Sequence, residues 1–128
     1  MAEAKYLDRG LNQRILGCAI KVHRALGPGL LESAYRTCLV HELERSGLAV
    51  RTEVPIEIRY DGIGLQCGYR ADIIVQESVL IELKAVDRLA SIHDAQLLTY
   101  LKLSGIRVGF LLNFNATSLR QGIRRLVR

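Results

Sequence analysis

The sequence predicts a mixed α/β domain, a small central sheet flanked by helices in the order α-α-β-β-β-α-β with a tail. Three observations predict it. Two stretches with apolar residues at helical spacing open the chain, and each is closed by glycine. Three extended segments follow, separated by turn residues. A third helical stretch then runs into an apolar strand. At 128 residues the chain is read as one domain spanning 1–128, long enough for a sizeable core.

The first helix is expected over Leu11–Leu26, with Ile15, Cys18/Ala19, Val22 and Leu26 on its apolar face. Gly27-Pro28-Gly29 ends it. The second is expected over Leu30–Arg45, with Leu31, Ala34/Tyr35, Cys38 and Leu39/Leu43 facing inward and Gly47 closing it. Val50–Tyr60 reads as a strand that Pro55 confines to an edge or a bulge. Asp61-Gly62 is a tight-turn signal before the extended Leu65–Tyr69 and Ala71–Val75. Gln76-Glu77-Ser78 turns the chain into Val79–Ala85, apolar enough to lie centrally in the sheet. Ser91–Ser104 is the third helix, with Ser91 as its cap, Asp94 in its first turn and Gly105 as its stop. Arg107–Phe114 is a strand with Val108, Phe110 and Leu112 on one face. The tail, Ala116–Arg128, fits either a short helix or a final strand over Ile123–Val127.

Hydrophobic residues at 49% and charged residues at 24% are the balance of an ordinary globular protein. No apolar run approaches a membrane span, and Met1–Tyr6 lacks the apolar core of a secretory signal. Cys18, Cys38 and Cys67 are far apart, odd in number and without zinc spacing, which fits a reducing compartment. Cys38 and Cys67 read as core fillers. A cytoplasmic protein with no membrane partner is expected. The net charge of +5 is unevenly spread: residues 101–128 carry six basic side chains and no acid, leaving the first 100 at −1. A basic end beside a carboxylate site fits a polyanion such as nucleic acid; an ordinary solvated face is the alternative.

The chemistry centres on two neighbouring strands. One contains Asp72-Ile-Ile-Val75, the other Leu80-Ile-Glu-Leu-Lys-Ala85. Glu82 and Lys84 share a strand face. Charges inside an apolar strand are costly to bury unpartnered, so the pair is either a salt bridge or a site. Two carboxylates and a lysine at one sheet edge are what metal-dependent phosphodiester hydrolysis needs. In the third helix Gln96 and Tyr100 lie four apart on a stripe with Ile92 and Leu103. Gln96 is either a satisfied core amide or a group reaching the site, where Tyr100 can donate to a phosphate. In the second helix Glu32 and Tyr35 share a face. Glu32 either favours the helix N-terminus or adds a metal ligand or water-positioning base. Arg70 and Arg88 flank the site strands and can meet phosphate or pair with a carboxylate. His23 reads as structural, His93 as a surface or cap residue, and His41 as solvated.

Asp72 followed by Glu82-Leu83-Lys84 resembles the PD-(D/E)xK nuclease signature. Gln96-Leu-Leu-Thr-Tyr100 looks like the Q-xxx-Y element of the RecB-like branch. Gly29-Leu-Leu-Glu32-Ser-Ala-Tyr35 matches the motif that names the GxxExxY family. The resemblance runs from about Leu11 to Val127. Its one departure is Ala71 in place of a proline before Asp72, a proline the superfamily dispenses with.

The resemblance implies a restriction-endonuclease-like core with a Mg²⁺ or Mn²⁺ site where the two central strands diverge. Asp72, Glu82, Glu32 and the Leu83 carbonyl would be ligands. Lys84 would orient water, with Gln96 as an accessory catalytic residue. Tyr100, Tyr35, Arg70 and Arg88 would touch substrate. The implied activity is hydrolysis of DNA or RNA. The rival is a nuclease-fold module, weak or inactive, that binds nucleic acid or a protein partner. With no separate DNA-reading domain or substrate-gripping insertion in the sequence, a homo-oligomer or a larger complex is the expected setting.

Overall fold

The structure, a computed structural model, describes residues 8–128. The Met1–Tyr6 segment read above for a signal lies outside the described residues. Helix α1 (Arg9–Leu26) is capped by Asp8, whose Oδ1 accepts from the Leu11 amide at 3.0 Å. Its buried face holds Ile15, Cys18, Ala19 and Val22, as the spacing predicts. Leu26 is instead half-exposed, because the chain turns away at Gly27. Helix α2 (Glu32–Arg45) begins two residues later than expected. Leu31 becomes its exposed N-cap, and Tyr35, Leu39 and Leu43 form the inward stripe. Gly47 follows with φ +84, the left-handed closure its position predicts.

The sheet comprises β1 (Val50–Tyr60), β2 (Ile63–Val75), β3 (Val79–Lys84), β4 (Val108–Asn113) and β5 (Ile123–Val127), in that order across it. Neighbours are antiparallel except β3 and β4, which α3 (Ser91–Ser104) joins in parallel. The predicted element order is therefore met, with β3 central. The tail forms a short 3-10 turn, Leu119–Gly122, and then the strand. Asp61 and Gly62, both at positive φ, join β1 to β2.

Two apolar layers enclose the sheet. Helices α1 and α2 cover one face over Ile73, Val75, Ile81, Leu83, Val108, Phe110 and Leu112. Helix α3 covers the other over Ile74, Leu80 and Leu111, through Leu97 and Leu101. It seats close on β4 because Gly109 has no side chain: a Cβ there would meet Leu97 at 2.9 Å.

The β1–β2 pair does not keep one face inward. Val50 and Val75 pack under α1 and α2, whereas Val54, Ile56 and Ala71 pack under α3. Strict alternation would put Val50 and Val54 on one face. The switch falls at Glu53, in a left-handed conformation at φ +48, and at the facing Asp72. Beyond it β1 and β2 continue as a two-stranded ribbon, with residues 61–70 all exposed. This projecting ribbon is built from the two extended segments the sequence predicts on either side of Asp61-Gly62. It also places Cys67 in solvent, since no core reaches that far. Pro55 sits, as predicted, on the edge strand beside a register irregularity.

Candidate active site

β2 and β3 pair only through Ile73–Ile81, Ile74–Leu80 and Val75–Val79, and then part. Asp72 and Glu82 stand at the fork, each holding the other's strand. The Asp72 amide donates to Glu82 Oε1 at 3.0 Å, and the Leu83 amide donates to Asp72 Oδ2 at 2.8 Å. Glu82 is 4% exposed in an otherwise apolar strand. Burial, and then the neighbouring Asp72 charge, push its carboxyl up to about 8. Residue 83's amide and carbonyl both face the edge toward Asp72, because a strand residue presents its N–H and C=O on the same side.

Lys84 ends β3 on the same face as Glu82. No ion pair joins the two within the described residues; Lys84 Nζ donates instead to Gln96 Oε1 at 3.3 Å. Gln96 Nε2 in turn donates to the Tyr100 hydroxyl at 3.3 Å. Lys84, Gln96 and Tyr100 thus form one relay from β3 to α3. Burial, then the Glu82 and Asp72 carboxylates, push the Tyr100 phenol up to about 12, so it is a donor at every physiological pH.

Two features that sequence reasoning missed hold this fork in place. Arg36, on α2, lies 3.4 Å from Asp72 Oδ1 and 3.6 Å from Glu53 Oε1. Asn113, buried at the end of β4, accepts from the Val86 amide at 3.1 Å and donates to the Val86 carbonyl at 2.9 Å. It clamps the segment leaving Lys84. A lone amide closing an apolar strand was the available signal for Asn113. Arg36 carried none, because only the fold brings it to Asp72.

The expectations for α2 change in part. Tyr35 is fully buried, stacks on Phe114 with ring centroids 4.6 Å apart, donates to the Gly27 carbonyl at 2.6 Å and accepts from the Leu30 amide at 3.0 Å. Its hydroxyl is committed to pinning the Gly-Pro-Gly loop, so it is a structural residue and not a substrate contact. Glu32 lies one turn before Arg36, on the side of α2 that faces the fork, half-buried. It does not gather with Asp72 and Glu82: no group of three His, Cys, Asp or Glu side chains able to hold a metal ion occurs among the described residues.

A model of the PD-(D/E)XK nuclease superfamily matches residues 9–126. The chain belongs to the PD-(D/E)XK nuclease superfamily. No curated protein matches it, and no solved structure does. The five-stranded mixed sheet flanked by helices is consistent with the superfamily's restriction-endonuclease-like fold. PD-(D/E)XK nucleases generally use divalent metal ions, and membership implies a nucleic-acid substrate.

The residues at the fork fit such an ion. Two carboxylates and a main-chain carbonyl are hard oxygen donors, and a small divalent cation that keeps several waters needs no fuller protein cage. A buried carboxyl raised so far above its ordinary range is also a group whose charge a cation would stabilise.

The remaining candidates are peripheral. Arg70 and Arg88 are exposed and make no ion pair among the described residues. The basic tail is partly spent: Arg124 pairs with Asp94 at 2.6 Å and donates to the Leu89 carbonyl, tying β5 to the start of α3. Arg120, Arg125 and Arg128 remain exposed. His93, not Ser91, caps α3, its Nδ1 accepting from the Ala90 amide at 2.9 Å. His23 is structural as expected, donating from Nε2 to the Ala116 carbonyl at 2.8 Å. No helix among the described residues is long and apolar enough to cross a membrane.

Proposed function

We propose that this chain is a metal-dependent nuclease that hydrolyses phosphodiester bonds of DNA or RNA, a GxxExxY-type member of the RecB-like branch working in the cytoplasm. The observation that carries this reading is the fork itself: Asp72 and Glu82 locked together at a strand divergence, with Lys84 two residues on and tied to Gln96. Asp72, Glu82 and the Leu83 carbonyl would hold Mg²⁺ or Mn²⁺, with Glu32 as the further acidic group on the side of α2 that faces the fork. When bound, the ion polarises the scissile phosphate and lowers the pKa of a water. Lys84 orients that water and offsets charge developing on the phosphate. Gln96 holds the Lys84 ammonium in place, Tyr100 fixes the amide of Gln96, and Arg70 and Arg88 meet flanking phosphates.

The GxxExxY residues divide by physical task. Gly29 sits at φ +104, which favours glycine, and Tyr35 pins the same loop. Glu32 alone carries charge toward the fork.

The rival, a non-catalytic binding module, is favoured by one observation: Arg36 already neutralises part of the Asp72 charge. The two separate in one experiment. Purified protein is incubated with single-stranded, duplex and branched nucleic acids in Mg²⁺, Mn²⁺ or chelator. Metal-dependent cleavage that disappears in Glu82→Gln and Lys84→Ala supports the nuclease. Nucleic-acid binding indifferent to metal, with no cleavage of any substrate, supports the module.

A further inference from the structure

A groove of about 480 Å³ opens beside the fork, between the β1–β2 ribbon and the outer side of α3. Ile58 and Tyr69 come from the ribbon, Ile92, Gln96, Thr99 and Tyr100 from α3. No Asp, Glu, Lys or Arg lines it. Tyr69 is 47% exposed and Ile92 68%, although both are large apolar surfaces. Tyr69 meets the Tyr100 ring edge-on, centroids 6.3 Å apart, so its own ring lies against the groove.

A backbone irregularity puts Tyr69 there. Pro55 pairs with Arg70 and Glu57 with Gln66, so Cys67, Gly68 and Tyr69 stand opposite Ile56 alone. Gly68 takes φ +81 within that bulge. Bulges of this kind re-aim side chains beside functional sites. The groove is continuous with the fork, because Gln96 both lines it and accepts from Lys84.

We propose that this groove is a stacking subsite for one unpaired nucleobase next to the scissile phosphate, so that the protein takes single-stranded or frayed nucleic acid. The proposal rests on the nuclease reading above. An aromatic ring and an aliphatic side chain supply the flat apolar contacts that any base face accepts without sequence preference. The second Nε2 hydrogen of Gln96, and the Thr99 hydroxyl oxygen as an acceptor while its proton goes to the Ala95 carbonyl, remain for a base edge. Walls without Asp, Glu, Lys or Arg suit a base, while Lys84 takes the attached phosphate. A base paired within a duplex has no free face to present and would first have to be extruded.

The test measures affinity of the full chain in a Glu82→Gln background, so that substrate survives, with Mg²⁺ present. The probes are a labelled single strand and the blunt duplex of the same sequence. The single strand is expected to bind more tightly. Tyr69→Ala should weaken it about ten-fold or more and the duplex less than two-fold. Tyr69→Trp should retain the affinity, and Ile92→Ala should lose part of it. An abasic nucleotide scanned along the strand should reproduce the loss at one position. Equal weakening of both probes by Tyr69→Ala, or no weakening, overturns the subsite while metal-dependent cleavage by the unaltered protein leaves the nuclease standing. Unaltered protein that neither binds nor cuts either probe overturns both.

Discussion

Asp72 and Glu82 hold each other through the backbone: the Asp72 amide is bonded to the Glu82 carboxylate, and the Asp72 carboxylate to the amide one residue beyond Glu82. Each acid replaces a ladder bond the diverging strands have lost. The carboxylates are thus pre-placed by the same contacts that end the ladder, a preorganised pair whose cost the fold has already met.

That arrangement separates two substitutions at Glu82. Glu82→Gln keeps an oxygen for the Asp72 amide and removes the acid's ability to ionise for a cation. It is expected to fold, to bind Mg²⁺ at least ten-fold more weakly by calorimetry, and to lose cleavage by a hundred-fold or more. Glu82→Ala leaves the Asp72 amide without its partner in a buried setting, at about 1–3 kcal/mol. Denaturant unfolding should show that extra loss; equal stability of the two variants would contradict the interlock.

The same burial makes stability depend on pH. In the unfolded chain the Glu82 carboxyl titrates near 4.5, and in the folded metal-free protein near 8. Between these values the folded state keeps a proton that the unfolded chain has released. Raising the pH through this window therefore destabilises the metal-free protein, with a limiting slope of about 1.4 kcal/mol per pH unit. Urea midpoints should fall from pH 5 to pH 8, Glu82→Gln should flatten the trend, and Mg²⁺ should reverse it by favouring the ionised form. A midpoint that rises over this range would refute the assignment.

Arg36 competes with any cation for Asp72. The pair is partly exposed, so its contribution is small, about 1 kcal/mol at most. Arg36→Ala is expected to tighten Mg²⁺ binding a few-fold and to raise the melting temperature gain produced by Mg²⁺. Weaker metal binding in Arg36→Ala would show that the guanidinium positions Asp72 more than it opposes the ion.

Much of this was legible in the sequence. Helical spacing in α1 and α3, glycine stops at Gly47 and Gly105, and turn residues at Asp61-Gly62 are local signals that tertiary packing did not overrule. Asp72, Glu82 and Lys84 were visible because charge in apolar elements is costly, and Gln96 because an amide on an apolar helix stripe needs a partner; the structure brings all four together. What stayed hidden depends on backbone conformation. The face switch at Glu53 and Asp72, and the bulge that delivers Tyr69 to α3, need left-handed residues that no periodicity announces. Tyr35 misled for the opposite reason: it shares a helix face with Glu32, but fold-level contacts spend its hydroxyl on the loop.

Tyr35 therefore provides a test of structure without chemistry. Tyr35→Phe keeps the stacking on Phe114 and removes the hydroxyl, leaving the Leu30 amide and the Gly27 carbonyl without it. The expected cost is about 1–2 kcal/mol of stability by chemical denaturation. Because the hydroxyl faces the loop and not a substrate, KM for nucleic acid should stay within two-fold at temperatures where the variant is folded. Lys84→Ala should do the reverse: cleavage falls by a hundred-fold or more while stability changes little, since Lys84 is half-buried and its bond to Gln96 is long at 3.3 Å. If Tyr35→Phe raised KM with stability intact, its hydroxyl would have to leave the loop to meet substrate, and the division between Glu32 and the rest of the motif would fail.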